Sequence, residues 1–424
     1  MLSIWLILCF AGCNTNKNMQ ITNYPPHNSF LETLLKTQAA RLGPVFSDPE
    51  RYRLQIIYTQ IDRDAQNRPH CTDFTYRLDK NVYFYPASTV KLAGAALALE
   101  KLNDLSLRGL DRHTPMLTES LPGATPAAFT DASSPSGLPS IGNYIKKILL
   151  VSDNDAFNRL YEFIGQQSFN ESLWAKGYPG AQVLHRVGVT GISPEKNRYT
   201  NAVTFRQGRK VLYRQPVLYS TLPFLPRNDK IGKAYYNENN ELIPAPMDAS
   251  QKNRIWLADL HNILKSIIFP EVVTKSNRFR LKEDDYGFLY HCMSAQPAES
   301  ERPTYDSTTF HHNYVKFLLF GAEKNNRISG NVRSFNKPGW AYGTLTDVAY
   351  IADFTHQVEF MLSTTVYVND NNGILSDENY QFKQVGEPFM QALGELIYNY
   401  ERQRQRAYMP DLSRFIIDYS NKTF

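Results

Sequence analysis

The chain has 424 residues, 42% hydrophobic and 13% aromatic, with a net charge of +5. That balance excludes a disordered or fibrous chain and supports a sizeable core of one or two domains. Lys and Arg are scattered rather than clustered, which excludes the basic stripe of a nucleic-acid-binding protein.

The apolar run Leu2–Gly12 is too short to cross a bilayer and has the length of a signal-peptide core. Within it, Phe10-Ala11-Gly12-Cys13 resembles the lipobox of bacterial lipoproteins. The resemblance implies a signal over 1–12, a lipid on Cys13, and a membrane-anchored protein facing the periplasm. A plainly cleaved signal and a chance apolar start are the alternatives. Residues 13–29, polar and with two prolines, read as a tether to a single domain over 30–424. Outside the signal, Cys71 and Cys292 read as separate buried thiols, with a disulfide as the alternative in an oxidising compartment.

Spacing of Leu31, Leu34, Leu35, Ala39 and Leu42 predicts a helix over 30–42. Residues 52–64 and 71–88 read as two strands joined by a polar turn. A helix starting at Ser88 runs apolar on every side from Leu92 to Leu99, the mark of a buried helix. Residues 137–165 give two helices meeting at Ser152-Asp153-Asn154. Between 206 and 249 the pattern changes to inserted hairpins, 210–226 and 230–246, the second turning at Asn237–Asn240. Helix returns over 250–268, strands over 332–354 and 357–369, and an amphipathic helix over 387–405. Strands at both ends with helices between them predict an α/β (α+β) fold: an antiparallel sheet built from both chain ends, flanked by terminal helices, with a helical subdomain inserted over about 92–330. The seam between the two is where a site is expected.

Ser88-Thr89-Val90-Lys91 places a hydroxyl at the mouth of this buried helix and an amine one turn later on the same face. The helix N-terminus stabilises negative charge near the hydroxyl, and a desolvated lysine has a lowered pKa and can take the serine proton. A lone S-x-x-K also fits an N-cap serine beside a snorkelling lysine. This one is followed by Ser152-Asp153-Asn154 and then by Lys337-Pro338-Gly339. The series Ser-x-x-Lys, Ser-Asp-Asn, Lys-x-Gly resembles that of penicillin-recognising serine enzymes, and the chain looks like a class A β-lactamase-type serine hydrolase from about Leu54 to Arg402.

The resemblance implies a β-lactamase/transpeptidase-like fold with Ser88 as the acylated nucleophile and Lys91 as its proton acceptor. It makes Ser152 a proton shuttle, has Asn154 hold the substrate amide, and gives Lys337 a substrate carboxylate. The backbone N–H groups of Ser88 and of Trp340, next to Gly339, would form the oxyanion hole. Asp153 would be structural.

Two departures stand out. Pro338 has neither the hydroxyl nor the N–H usual at its position. The deacylating glutamate of the family precedes an asparagine by four residues, whereas the candidate Glu195 precedes Asn197 by two. Glu195 therefore reads either as the water-activating base or as a loop carboxylate.

No metal or organic cofactor is expected. His311-His312 lacks ligand spacing, and residues 369–373 read as a hairpin turn rather than a calcium loop. The expected function is β-lactam hydrolysis by an acyl-enzyme route. A D-Ala-D-Ala-directed peptidase or esterase acting on cell-wall peptides is the alternative, and a non-catalytic peptidoglycan- or partner-binding module is a third.

Overall fold

The computed structural model describes residues 29–420 apart from 123–124, 225, 238, 322–329, 371 and 378. The signal, Cys13 and all but the last residue of the tether lie outside the described residues.

Two strands from the start of the chain, β1 (Gln55–Arg63) and β2 (Pro69–Tyr76), join three from its last third, β3 (Val332–Ala341), β4 (Thr344–Asp353) and β5 (Val358–Tyr367). The order is β3-β4-β5-β1-β2. Every neighbouring pair is antiparallel, and the two halves of the chain are zipped where Gln55 faces Thr365 and Gln60 faces Phe360. β3 and β4 meet in a two-residue turn, Tyr342-Gly343, with φ of 49° and 76° as a type I′ hairpin requires.

The helices, in chain order, are α1 (Ser29–Lys36), α2 (Ala39–Ser47), α3 (Val90–Leu105), α4 (Ile141–Leu150), α5 (Asn154–Ile164), α6 (Gln166–Ala175), α7 (Leu257–Ile268), α8 (Glu283–Ser294) and α9 (Glu387–Gln403). They cover both sheet faces. α1, α2 and α9 bury Leu31, Leu35, Leu42, Leu393 and Ile397 against Phe360 and Leu362. The inserted helices bury Leu97, Ile148, Leu160 and Leu264 in one core with Tyr350 and Met361 of the opposite face. This double cover is why β4 is buried along its whole length. α3 is central, with Val90 through Glu100 all buried; Glu100 pairs with Lys176 and Arg280.

Several boundaries differ from the sequence reading. The first helix is two, broken at 37–38. The second strand stops at Tyr76 because Arg77 turns left-handed (φ 53°), and the chain then buries Tyr83, Phe84 and Tyr85 as loop. Residues 250–256 are not helical, since Arg254 pairs with Gln182 through two backbone hydrogen bonds before α7 begins. The helical part ends at Ser294, and 295–321 is turns with one short 3-10 turn. In the insertion, 210–215 pairs back onto 203–207, and 218–219 pairs with 199–200, so the first expected hairpin does not form. The second does, pairing Leu242 with Tyr236 around Asn237–Asn240.

Of the turn expected over 369–373, Asn372 N donates to Asp370 O, and the chain leads to a strand (Ile374–Leu375) that runs parallel to 234–236 of the insertion rather than folding back on β5. Cys71 and Cys292 are both free thiols.

Candidate active site

Three segments converge at the seam between the sheet and α3. Ser88 lies in a single 3-10 turn (Ala87–Thr89) that precedes α3. Its hydroxyl caps nothing, and it has no hydrogen-bond partner among the described residues, so Ser88 is not the N-cap the sequence allowed. The turn is tight, with Ala87 held at φ 46°, a conformation costly for a residue with a Cβ.

Lys91 is fully buried one turn into α3. Its Nζ donates to Ser152 O (2.5 Å) and Asn154 Oδ1 (2.6 Å) and lies 3.3 Å from Ser152 Oγ. Burial pulls its pKa down to about 7, against the opposing charge of Asp153. A neutral amine that spends two N–H bonds on these oxygens keeps its lone pair for an incoming proton.

Ser152 occupies the link between α4 and α5 with φ 62°. Asp153 is the N-cap of α5, accepting from Ala156 N at 2.8 Å, so its role is structural. Asn154 opens the helix with its carbonyl oxygen on Lys91 and its amide nitrogen against Gly188. A Cβ at Gly188 would lie 2.2 Å from Asn154 Nδ2, and its φ is +67°.

Lys337 comes from the edge strand β3, also fully buried. Its Nζ donates to Ser152 Oγ (2.9 Å) and Pro338 O (2.8 Å). Burial and the like charge of Lys91 hold it well below the ordinary lysine range. The Ser152 hydroxyl oxygen thus accepts from Lys337 and lies 3.3 Å from Lys91 Nζ.

Pro338 is tolerated because β3 is an edge strand, where a missing N–H breaks no second ladder. Gly339 is required by contact: a Cβ there would meet Pro86 O and Ser88 N at 2.7 Å. Strand β3, continuing into Trp340, therefore lies directly on the backbone of the Ser88 turn.

Behind Lys337 is a network that the motifs did not announce. Asp347, opposite Pro338 on β4, is buried and accepts from Asn336 Nδ2 (2.9 Å) and from the backbone N–H groups of Phe317 and Leu318. Asn336 in turn accepts from buried Lys316 (2.8 Å), whose pKa burial brings to about 7. Only the Pro338–Asp347 pairing in the β3–β4 hairpin could have pointed to it.

Glu195 is not in this cluster. Its carboxylate accepts from Tyr219 OH (3.1 Å) and lies 3.5 Å from Arg198, with the side chain 63% exposed. Asn197, its partner in the sequence reading, is buried with its Oδ1 on Arg186. Arg186 in turn forms a buried ion pair with Glu162. Glu195 instead lines a cavity of about 740 Å³ together with Tyr85 and Gly188.

His311 and His312 hydrogen-bond to Asn313 and Gln296, and among the described residues no group of His, Cys, Asp and Glu is placed to hold a metal.

A sequence model of the β-lactamase enzyme family matches residues 53–283, more than half of the chain. The chain belongs to that family. The family match includes Ser88, Lys91, Ser152 and Asn154 and stops before β3. No curated protein matches the chain.

Among solved structures, the chain is similar to a β-lactamase from Sphaerobacter thermophilus (11% identity, 88% of this chain and 99% of that one, TM-score 0.48). A β-lactamase from Xanthomonas campestris is 14% identical (86% and 98%, TM-score 0.48). A class A β-lactamase from Clostridium kluyveri is 15% identical (86% and 99%, TM-score 0.46).

Proposed function

We propose that this β-lactamase-family protein is a serine hydrolase that opens β-lactams through an acyl-enzyme and releases the product slowly. The observation that carries the reading is the convergence of two buried, pKa-lowered lysines on Ser152 beside the strained turn of Ser88. A purely binding module has no use for such a costly cluster.

Neutral Lys91 takes the Ser88 proton as Oγ bonds to the lactam carbonyl carbon. The backbone N–H groups of Ser88 and Trp340 hold the oxyanion while the ring C–N bond breaks. Ser152 gives its proton to the departing nitrogen and regains one from Lys91; Lys337 polarises Ser152 and faces the substrate carboxylate. Asn154 holds the side-chain amide.

Release requires a base for water, and Glu195, turned to Tyr219 and largely exposed, is poorly prepared for it. That observation also favours the second reading, a penicillin-binding peptidase acting on cell-wall peptides. We propose further that the protein is anchored in the cell envelope through Cys13, on the strength of Phe10-Ala11-Gly12-Cys13. Cys13→Ser should then abolish partition into detergent.

Intact-mass spectrometry of the protein mixed with benzylpenicillin tests the reading. An adduct of one penicillin mass should persist for minutes, be absent in Ser88→Ala, and be unchanged in lifetime in Glu195→Gln. No adduct in the wild type overturns it, and a shorter-lived adduct that Glu195→Gln prolongs makes Glu195 the base.

A further inference from the structure

The cavity lined by Tyr85, Gly188 and Glu195 has a composition the acyl-enzyme chemistry does not explain. Its volume, about 740 Å³, is that of a small-molecule pocket. It borders the active site: of its lining, Tyr85 lies three residues before Ser88, and Gly188 presses on the amide of Asn154. Its floor is aromatic. Tyr342, from the β3–β4 turn, meets Tyr85 edge-on with centroids 5.1 Å apart, and His185 stacks on Tyr85 within 5° of parallel. His185 Nε2 accepts from Asn253 N and Nδ1 faces Arg186 O, so the ring is the neutral Nδ1–H tautomer; burial holds its pKa at about 4.

The charges that line the cavity are not equivalent. Arg186 is consumed by Glu162 and Asn197, and Arg198 by the carbonyls of Ser220 and Leu222 and by Glu195. Lys252 differs. It is half-buried, its Nζ sits 5.6 Å from the Tyr342 centroid, and among the described residues no carboxylate pairs with it. Lys252 is presented by the end of the insertion, whose Ile231 and Ala249 pack in one cluster with Tyr85 and Ala87. The insertion thus sets a cation with no carboxylate partner among the described residues over the Tyr342 ring, in the cluster that holds Tyr85 and Ala87.

We propose that this cavity receives the acyl arm of the substrate and that Lys252 selects arms carrying a carboxylate, with Tyr85 and Tyr342 holding the planar part. The inference takes its substrate from the acyl-enzyme reading above, but the cavity's preference is measurable without acylation. The probes are two amides: the monoamide of phenylmalonic acid, and phenylacetamide, which lacks its carboxylate.

By titration calorimetry or ligand-observed NMR, the carboxylate-bearing amide should bind the wild-type protein about tenfold more tightly, as one partly desolvated charge-assisted contact allows. Lys252→Met should erase the difference and Lys252→Arg should keep it, which separates a lost contact from a misfolded variant. Equal binding of the two amides to the wild type, or a preference that survives Lys252→Met, overturns the proposal. The matching penicillins separate the two readings. If neither acylates Ser88 while the amide preference and its loss in Lys252→Met hold, the cavity assignment stands and the acyl-enzyme reading falls. If Ser88 is acylated but the amides bind alike, the reverse is true.

Discussion

Lys91 ties the chemistry to stability through one proton. Its pKa in the folded protein is about 7, whereas an unfolded lysine titrates near ~10.4. Between those values the unfolded chain binds the extra proton, so this group makes the fold gain stability as pH rises from about 7 toward ~10. Below about 7 the buried charge is a full burden on the fold. Lys91→Met should therefore raise the melting temperature more at pH 6 than at pH 10, while acylation falls by several orders of magnitude. A shift equal at both pH values would show that Lys91 titrates normally. In the wild type, the acylation rate should climb through about pH 7 as the amine becomes neutral. Ser152 carries a second residue-level strain, φ 62° with a Cβ. Ser152→Gly should be more stable than Ser152→Ala by about 1 kcal/mol in denaturant titrations, both lacking the hydroxyl. Ser88, Lys91, Ser152, Asn154 and Lys337 were legible because each motif is a short contiguous string. Asp347, Lys316, Gly188 and Lys252 were not, because each reaches the site only through a strand register or a loop contact that no local spacing encodes.

Among the elements, β3 and the loop after α6 decide the shape of the cleft. β3 lies on the Ser88 turn only because Gly339 has no side chain. Gly339→Ala should push the strand off the turn and slow acylation about 100-fold, the scale of losing one oxyanion donor, with the circular dichroism unchanged. Normal acylation in that variant would mean that the strand has room to shift. The loop carrying Gly188 and Glu195 is pinned from α5: Glu162 takes Arg186 through both oxygens, Thr125 Oγ1 and Asn201 N, all buried. Glu162→Gln leaves the Arg186 charge buried without its partner and should cost about 3–5 kcal/mol of stability by chemical denaturation. A cost below ~1 kcal/mol would show that the loop stands without the pair. The long elements could be read in advance. β4 and β5 are ten-residue strands rich in β-formers, and α3 is apolar on every side from Leu92 to Leu99. The insertion could not, since several of its strands are two residues long and carry no period to detect.

At the scale of the whole molecule, the sheet ties the first and last thirds of the chain together. β1 sits between β2 and β5, so without β5 it is left with one neighbour and half its hydrogen bonds. A chain ending at residue 320 keeps every inserted helix yet lacks three of five strands and α9. It should show no cooperative unfolding by circular dichroism and no acylation. A fragment that unfolds cooperatively would make the helical part an independent domain.

This sheet also orders events in time. During synthesis Ser88, Lys91 and Ser152 emerge long before Lys337, and β1 must wait for β5 with an open edge. The proposed nucleophile is made early and armed last. Until β3 docks on the Ser88 turn, the growing chain lacks the lysine that bonds Ser152 and the strand that completes the proposed oxyanion hole, so acylation should wait for both.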